Sequence, residues 1–130
     1  MGASRSDADL SGKRILVVED EGIVAFWVSE VLTSAGASVI GPAASVREAL
    51  ALLENGAVDG AVLDYKLQSD TTAAVADLLA AKGVPFVFAT GYDGTAIEAR
   101  HAGRPRLEKA FAAEELIFVL RRTLDRSVAE

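Results

Sequence analysis

Cysteine is absent from this 130-residue chain, and histidine occurs once, as His101. Disulfide frameworks, thiolate metal sites and histidine-built zinc sites are therefore excluded, and any metal must be held by oxygen. Long apolar runs are missing too: a stretch such as Val84-Pro85-Phe86-Val87-Phe88-Ala89 falls far short of the roughly 20 residues that span a bilayer. Nothing near Met1 has the apolar centre of a signal peptide, so a cytoplasmic location without membrane insertion is expected. Basic residues are in the minority, 13 Lys and Arg against 19 Asp and Glu, giving a net charge of −6. Binding to a phosphate backbone needs clustered Lys and Arg, so no direct contact with nucleic acid is expected.

What is present is core material. Hydrophobic residues make up 51% of the chain and charged residues 25%, enough for one packed domain and too much apolar surface for disorder. Residues 1–12 are small and polar and follow neither hydrophobic period, which predicts a disordered leader ahead of a domain over 13–126 and a short tail over 127–130. The start Met1-Gly2-Ala3-Ser4-Arg5-Ser6 fits the lax N-myristoylation pattern, which is short and has many chance matches.

From Arg14 the pattern becomes regular. Ile15-Leu16-Val17-Val18 is wholly apolar and mostly β-branched, as a strand buried on both faces of a parallel sheet must be, and it stops at Glu19-Asp20-Glu21. Val24, Trp27, Val28, Val31 and Leu32 then recur at helical spacing, with Gly36 placed to end the helix. The unit repeats. Ser38 to Ile40 reads as a strand, and Ser45 with Glu48 forms a capping pair for a helix whose inner face is Val46, Ala49, Leu50 and Leu53. Ala61-Val62-Leu63 runs into Asp64 as a third strand, and a helix from about Thr72 to Lys82 turns Val75, Leu78 and Leu79 inward. Val84 to Thr90 is a fourth strand, 94–102 a weak helix with Ile97 as its one large apolar residue, and Pro105 to Glu108 a short fifth strand. Ala113, Leu116, Ile117, Leu120 and Leu124 define the last helix, on which Phe118 should be exposed.

Five alternations of strand and helix in one domain predict an α/β fold, a doubly wound five-stranded parallel sheet with helices on both faces. We take the flavodoxin-like strand order 2-1-3-4-5 as the expectation for this class, in which ligands bind beyond the carboxyl ends of the strands. Glu19 and Asp20 stand past the first strand, Asp64 ends the third, Thr90 ends the fourth and Lys109 follows the fifth. Three converging carboxylates repel one another unless a cation neutralises them, and hard oxygen ligands suit Mg²⁺. A hydroxyl and an ammonium opposite them would complement a phosphoryl group. Asp20 or Glu21 could instead merely cap the first helix. Asp64 resists that reading, because an acid after Ala-Val-Leu carries a desolvation cost without a structural return.

In these residues the chain resembles the receiver domains of bacterial two-component response regulators over about Lys13 to Leu124, and Phe88-Ala89-Thr90-Gly91-Tyr92 resembles the stand-alone Phe-Ala-Thr-Gly-Tyr subgroup of alphaproteobacteria. The resemblance implies that Asp64 accepts a phosphoryl group from a sensor histidine kinase or a histidine phosphotransfer protein. It implies Mg²⁺ on Asp20, Asp64 and the main-chain oxygen of Lys66, with Glu19 acting through water. By the same resemblance Thr90 and Lys109 bind the phosphoryl group, and Gly91 leaves its approach open. The family also often signals through the last helix, which makes a homodimer or partner contact there an expectation. Six residues follow Leu124, so output through partner binding or a phosphorelay is expected.

The chain departs from the family in several places. Ala110 replaces the usual proline after the lysine, and Arg106 the usual aromatic switch residue. Lys66 and Tyr92 occupy positions expected to modulate phosphoryl lifetime. A cis Lys109–Ala110 bond would cost about 2.5–4 kcal/mol, so a trans bond is expected, with Lys109 held less strictly and Ala110→Pro improving stability or response. A degenerate receiver, binding partners without being phosphorylated, is the rival reading. Nucleotide- and flavin-binding domains share the topology, but the phosphate-loop patterns are missing, and a haloacid-dehalogenase-type phosphatase needs an acid where Lys66 stands.

Overall fold

The computed structural model describes residues 10–67, 70–90, 99–101 and 103–129. Five strands, β1 (Arg14–Val18), β2 (Ser38–Ala43), β3 (Gly60–Asp64), β4 (Phe86–Thr90) and β5 (Arg106–Glu108), form one sheet in the order β2-β1-β3-β4-β5. Every pairing is parallel. Four helices are described, α1 (Gly22–Ser34), α2 (Val46–Asn55), α3 (Ala73–Ala81) and α4 (Ala113–Ala129), with a 3₁₀ turn at Ala99–His101. This is the flavodoxin-like doubly wound arrangement.

Alternation along the strands divides the core in two. Leu16, Val18, Ala61, Leu63, Phe86 and Phe88 point to one face and pack on Ala49 and Leu53 of α2 and on Val75, Ala76 and Leu79 of α3. Ile15, Val17, Val62, Val87, Ala89 and Leu107 point to the other and meet Val28 and Leu32 of α1 and Leu116, Leu120 and Leu124 of α4. Because β1, β3 and β4 are covered on both faces they read as unbroken apolar runs, the signature of parallel sheets.

Local signals place the helix ends. Ser45 Oγ accepts from the Glu48 amide at 3.1 Å, while Glu48 Oε1 accepts from the Ala44 amide at 2.7 Å, one residue before the expected box partner. Gly36, with φ at +95°, closes the turn after α1, a conformation that costs glycine nothing. Gly60 opens β3 where α4 crosses it closely, and a Cβ there would stand 2.7 Å from Leu124 Cδ2.

Five expectations change. Leu10, assigned to the leader, is fully buried, and its amide donates to the Ala35 carbonyl at 3.1 Å. Trp27, assigned to the inner face of α1, is 38% exposed, and Val24 and Val31 are half-buried: the buried face is Ala25, Val28 and Leu32, which the sequence does not single out because Ile23 and Phe26 make the helix apolar nearly all round. The described part of the expected 94–102 helix is the 3₁₀ turn, the remainder lying outside the described residues. Strand β4 begins at Phe86, two residues later than read, and Ile117 on α4 is only half-buried.

Candidate functional site

The register of the sheet assembles the site. Val18 pairs with Leu63, so Glu19 follows β1 level with Asp64; Asp64 itself pairs with Ala89, and Thr90 with Glu108, the residue before Lys109. Four strands thus deliver their polar end residues to one edge. Glu19, Asp20 and Asp64 each offer a carboxylate oxygen, and these atoms lie within 4.8 Å of one another. Glu19, Asp64 and Thr90 are buried and Asp20 is half-buried.

Lys109 enters this acidic edge from the far side. Its Nζ stands 2.8 Å from Glu19 Oε1, 3.1 Å from Asp64 Oδ2 and 3.6 Å from Glu21 Oε1. Its own amide donates to the Thr90 carbonyl at 2.6 Å. Burial, reinforced by the negative charge of Glu19 and opposed by the Lys109 hydrogen bond, pushes the Asp64 carboxyl up from 3.8 to about 7. The Lys109 ammonium is moved the opposite way from an isolated buried amine. Partial burial works against its charge, but hydrogen bonds to Glu19 and Asp64 outweigh that and raise its pKa.

The backbone beneath Asp64 is held by a residue whose place in the sequence marks only the start of α3. Thr72 is fully buried, and its Oγ1 donates to the carbonyls of Asp64 at 3.0 Å and Tyr65 at 3.2 Å, while its amide donates to the Tyr65 carbonyl at 2.8 Å. It caps nothing with its side chain. Tyr65, also unremarked in the sequence, packs edge-on to Phe88 with ring centroids 5.5 Å apart. The available signal is a threonine at the end of the polar run Gln68-Ser69-Asp70-Thr71, which is too common to single out.

The remaining expected positions fall as follows. Glu21 is the N-cap residue of α1 but makes no side-chain capping bond; its carboxylate faces Lys109 instead. The Lys66 side chain is exposed, and its backbone bridges Thr71. Arg106 is exposed on β5. Gly91 and Tyr92 lie outside the described residues. The only cis bond among the described residues is Gly41–Pro42, so Lys109–Ala110 is trans as expected. Ala110 has φ at +71°, however, and a proline fixed near −65° could not occupy that conformation; the expectation that Ala110→Pro improves the loop is overturned. The expectation of a loosely held Lys109 also fails, since its amide and ammonium are both engaged.

The doubly wound α/β sheet thus gathers three carboxylates, a hydroxyl and a lysine at its carboxyl edge. The response regulator receiver domain family matches residues 15–121, and the chain belongs to that family. Among curated proteins it is similar to the transcriptional regulatory protein PdtaR of Mycobacterium tuberculosis, 29% identical over 122 residues, 90% of this chain. The chain spans about 60% of the length of that relative. Among solved structures, SdrG from Sphingomonas melonis Fr1 is 33% identical with a TM-score of 0.74, covering 92% of this chain and 98% of that one. A CheY-like receiver domain protein from Methanospirillum hungatei is 25% identical with a TM-score of 0.81, covering 92% and 98%. No helix among the described residues is long and apolar enough to cross a membrane.

Proposed function

We propose that the chain is a stand-alone cytoplasmic receiver that takes a phosphoryl group from a phosphohistidine, on a sensor histidine kinase or a histidine phosphotransfer protein, onto Asp64. The observation that carries this reading is the buried Asp64 carboxylate with Lys109 Nζ at 3.1 Å and two further carboxylates within 4.8 Å. Similarity to SdrG along nearly that protein's whole length, together with the Phe88-to-Tyr92 run, supports the alphaproteobacterial stand-alone subgroup.

An Oδ atom of Asp64 attacks phosphorus in line. The new O–P bond forms as the P–N bond to the imidazole breaks, and the departing ring nitrogen keeps the electron pair and takes up a proton. Little covalent help is needed, so positioned charge supplies most of the catalysis. Lys109 pairs with the phosphoryl oxygens as they replace its contact with Asp64, and the Thr90 hydroxyl, at the same edge, hydrogen-bonds another. Glu19, Asp20 and Asp64 form an all-oxygen, strongly anionic donor set that fits Mg²⁺, with the Lys66 main-chain oxygen as a further ligand. Bound there, the ion would offset the negative charge that otherwise repels a phosphoryl group.

The test is intact mass after incubation with acetyl phosphate and Mg²⁺. One phosphoryl group should be added to the wild type and none at position 64 in Asp64→Asn. An unchanged mass in the wild type would favour a binding module that works without phosphorylation.

A further inference from the structure

Ala110 is the one non-glycine residue with positive φ among the described residues. At +71° its Cβ crowds the following carbonyl, and such a conformation persists only where the surroundings impose it. Its neighbours have different duties: Lys109 reaches into the acidic site, and Phe111 is buried with 8% exposure. What imposes the bend must therefore act on both sides of it.

On the Lys109 side the restraint is the hydrogen bond from its amide to the Thr90 carbonyl, at 2.6 Å. On the Phe111 side it is the core packing of Phe111, completed by a ring. Trp27 of α1 meets Phe111 with centroids 5.7 Å apart and planes inclined at 49°, within the separation over which aromatic rings attract. Around this contact lies an apolar groove of about 340 Å³, lined by Ile23, Val24, Trp27, Lys109, Ala110 and Phe111. The turn therefore borders open space on the α1 side, and the Trp27 ring lines that space beside it, against Phe111.

We propose that Trp27 is a positioning residue for phosphoryl transfer: by holding Phe111 it fixes the left-handed Ala110 and so aims Lys109 at Asp64. The proposal rests on the reading of Asp64 as the phosphoacceptor. It also accounts for a large aromatic residue that is 38% exposed on α1 instead of packing in the core. Trp27 touches neither the carboxylates nor the metal ligands in this account; it acts through the turn.

The experiment compares the wild type, Trp27→Ala, Trp27→Phe and the double variant Trp27→Ala/Ala110→Gly. The readout is the initial rate of phosphorylation by acetyl phosphate, followed by intact mass, with Mg²⁺ affinity measured separately. Trp27→Ala should lose roughly tenfold in rate, since misplacing a reacting group from a distance has effects of this order or more, while Mg²⁺ affinity is retained. Trp27→Phe should keep most of the rate. The double variant should recover it, because glycine adopts positive φ without being held there. In metal-free protein the Lys109 amide should exchange faster in Trp27→Ala than in Trp27→Phe, a readout independent of phosphorylation. An unchanged rate in Trp27→Ala, or no recovery in the double variant, overturns the proposal. If Trp27→Ala does not fold, Trp27→Leu serves instead, and a wild-type rate there overturns it equally. No mass gain in the wild type removes the phosphoacceptor reading and this proposal together, whereas normal wild-type labelling with indifferent Trp27 variants removes this proposal alone.

Discussion

The two ends of the site are built differently. At the end of β3, Asp64 sits on a backbone fastened from within, its carbonyl and that of Tyr65 both accepting from the buried Thr72 hydroxyl. At the end of β5, Lys109 hangs from a three-residue strand and precedes an alanine at φ +71° whose surroundings include open space. The acidic half is fixed by local hydrogen bonds and sheet register; the cationic half is held by a main-chain carbonyl of β4 and an aromatic ring of α1. Local fixing should tolerate distant substitutions, whereas the β5 end should transmit them to Lys109.

The sharpest way to break this contrast is to remove a charge from the acidic half. Asp20→Asn should weaken Mg²⁺ binding by more than about tenfold, while the metal-free protein keeps or gains thermal stability because repulsion with Glu19 and Asp64 is relieved. Strong destabilisation of Asp20→Asn in chelator would mean that Asp20 serves as a structural cap. Next, Thr72→Val should destabilise by about 1–3 kcal/mol, since two carbonyls lose a buried donor, as read from urea unfolding. An unaltered midpoint would show that the β3 end is not held this way.

On the β5 side the substitutions at Ala110 should diverge. Ala110→Gly should stabilise by about 1 kcal/mol through relief of the left-handed conformation, and Ala110→Pro should destabilise, because proline cannot reach φ +71°. Equal denaturation midpoints for the two variants would contradict the observed backbone.

A further effect is a slope with pH. The Asp64 carboxyl is raised in the folded state to about 7, so between its unfolded value of 3.8 and about 7 the folded protein binds more protons than the unfolded. The metal-free protein should therefore lose stability as pH rises through that window, with the loss complete above about 7. Asp64→Asn should flatten the slope in chelator. Asp77, held down to about 2 by the hydrogen bonds of Arg100 and His101, works in the other direction: its contribution is present above 3.8 and is lost as pH falls toward 2. A melting series from pH 2 to 8 on both proteins separates the two.

Much of this architecture is legible in the sequence because it is encoded by local pattern. Unbroken apolar runs at Ile15–Val18 and Ala61–Leu63 announce strands covered on both faces, and the acids that end them stand out because nothing polar belongs there. The exposure of Phe118, at 60%, follows from helical periodicity alone. Trp27 and Leu10 depart from their expected places for complementary reasons. A helix with apolar residues on most of its surface has no readable inner face, and a single leucine in a polar segment has no period at all. Thr72 was unreadable because its value lies in two carbonyls, 7 and 8 residues away, that only the folded loop brings to it.

Sequence by itself determined the doubly wound fold, the identity of Glu19, Asp20, Asp64, Thr90 and Lys109 as strand-end residues, and the departure at Ala110, since each is written in period, position and residue type. Tertiary structure alone decided how the lysine is held. Whether Ala110 adopts negative or positive φ depends on the Thr90 carbonyl on one side and the ring of Trp27, 84 residues before Phe111, on the other. The intrinsic preference between backbone conformations is only about 1–2 kcal/mol, so packing around the turn can override it, and no local reading of Lys109-Ala110-Phe111 contains that packing.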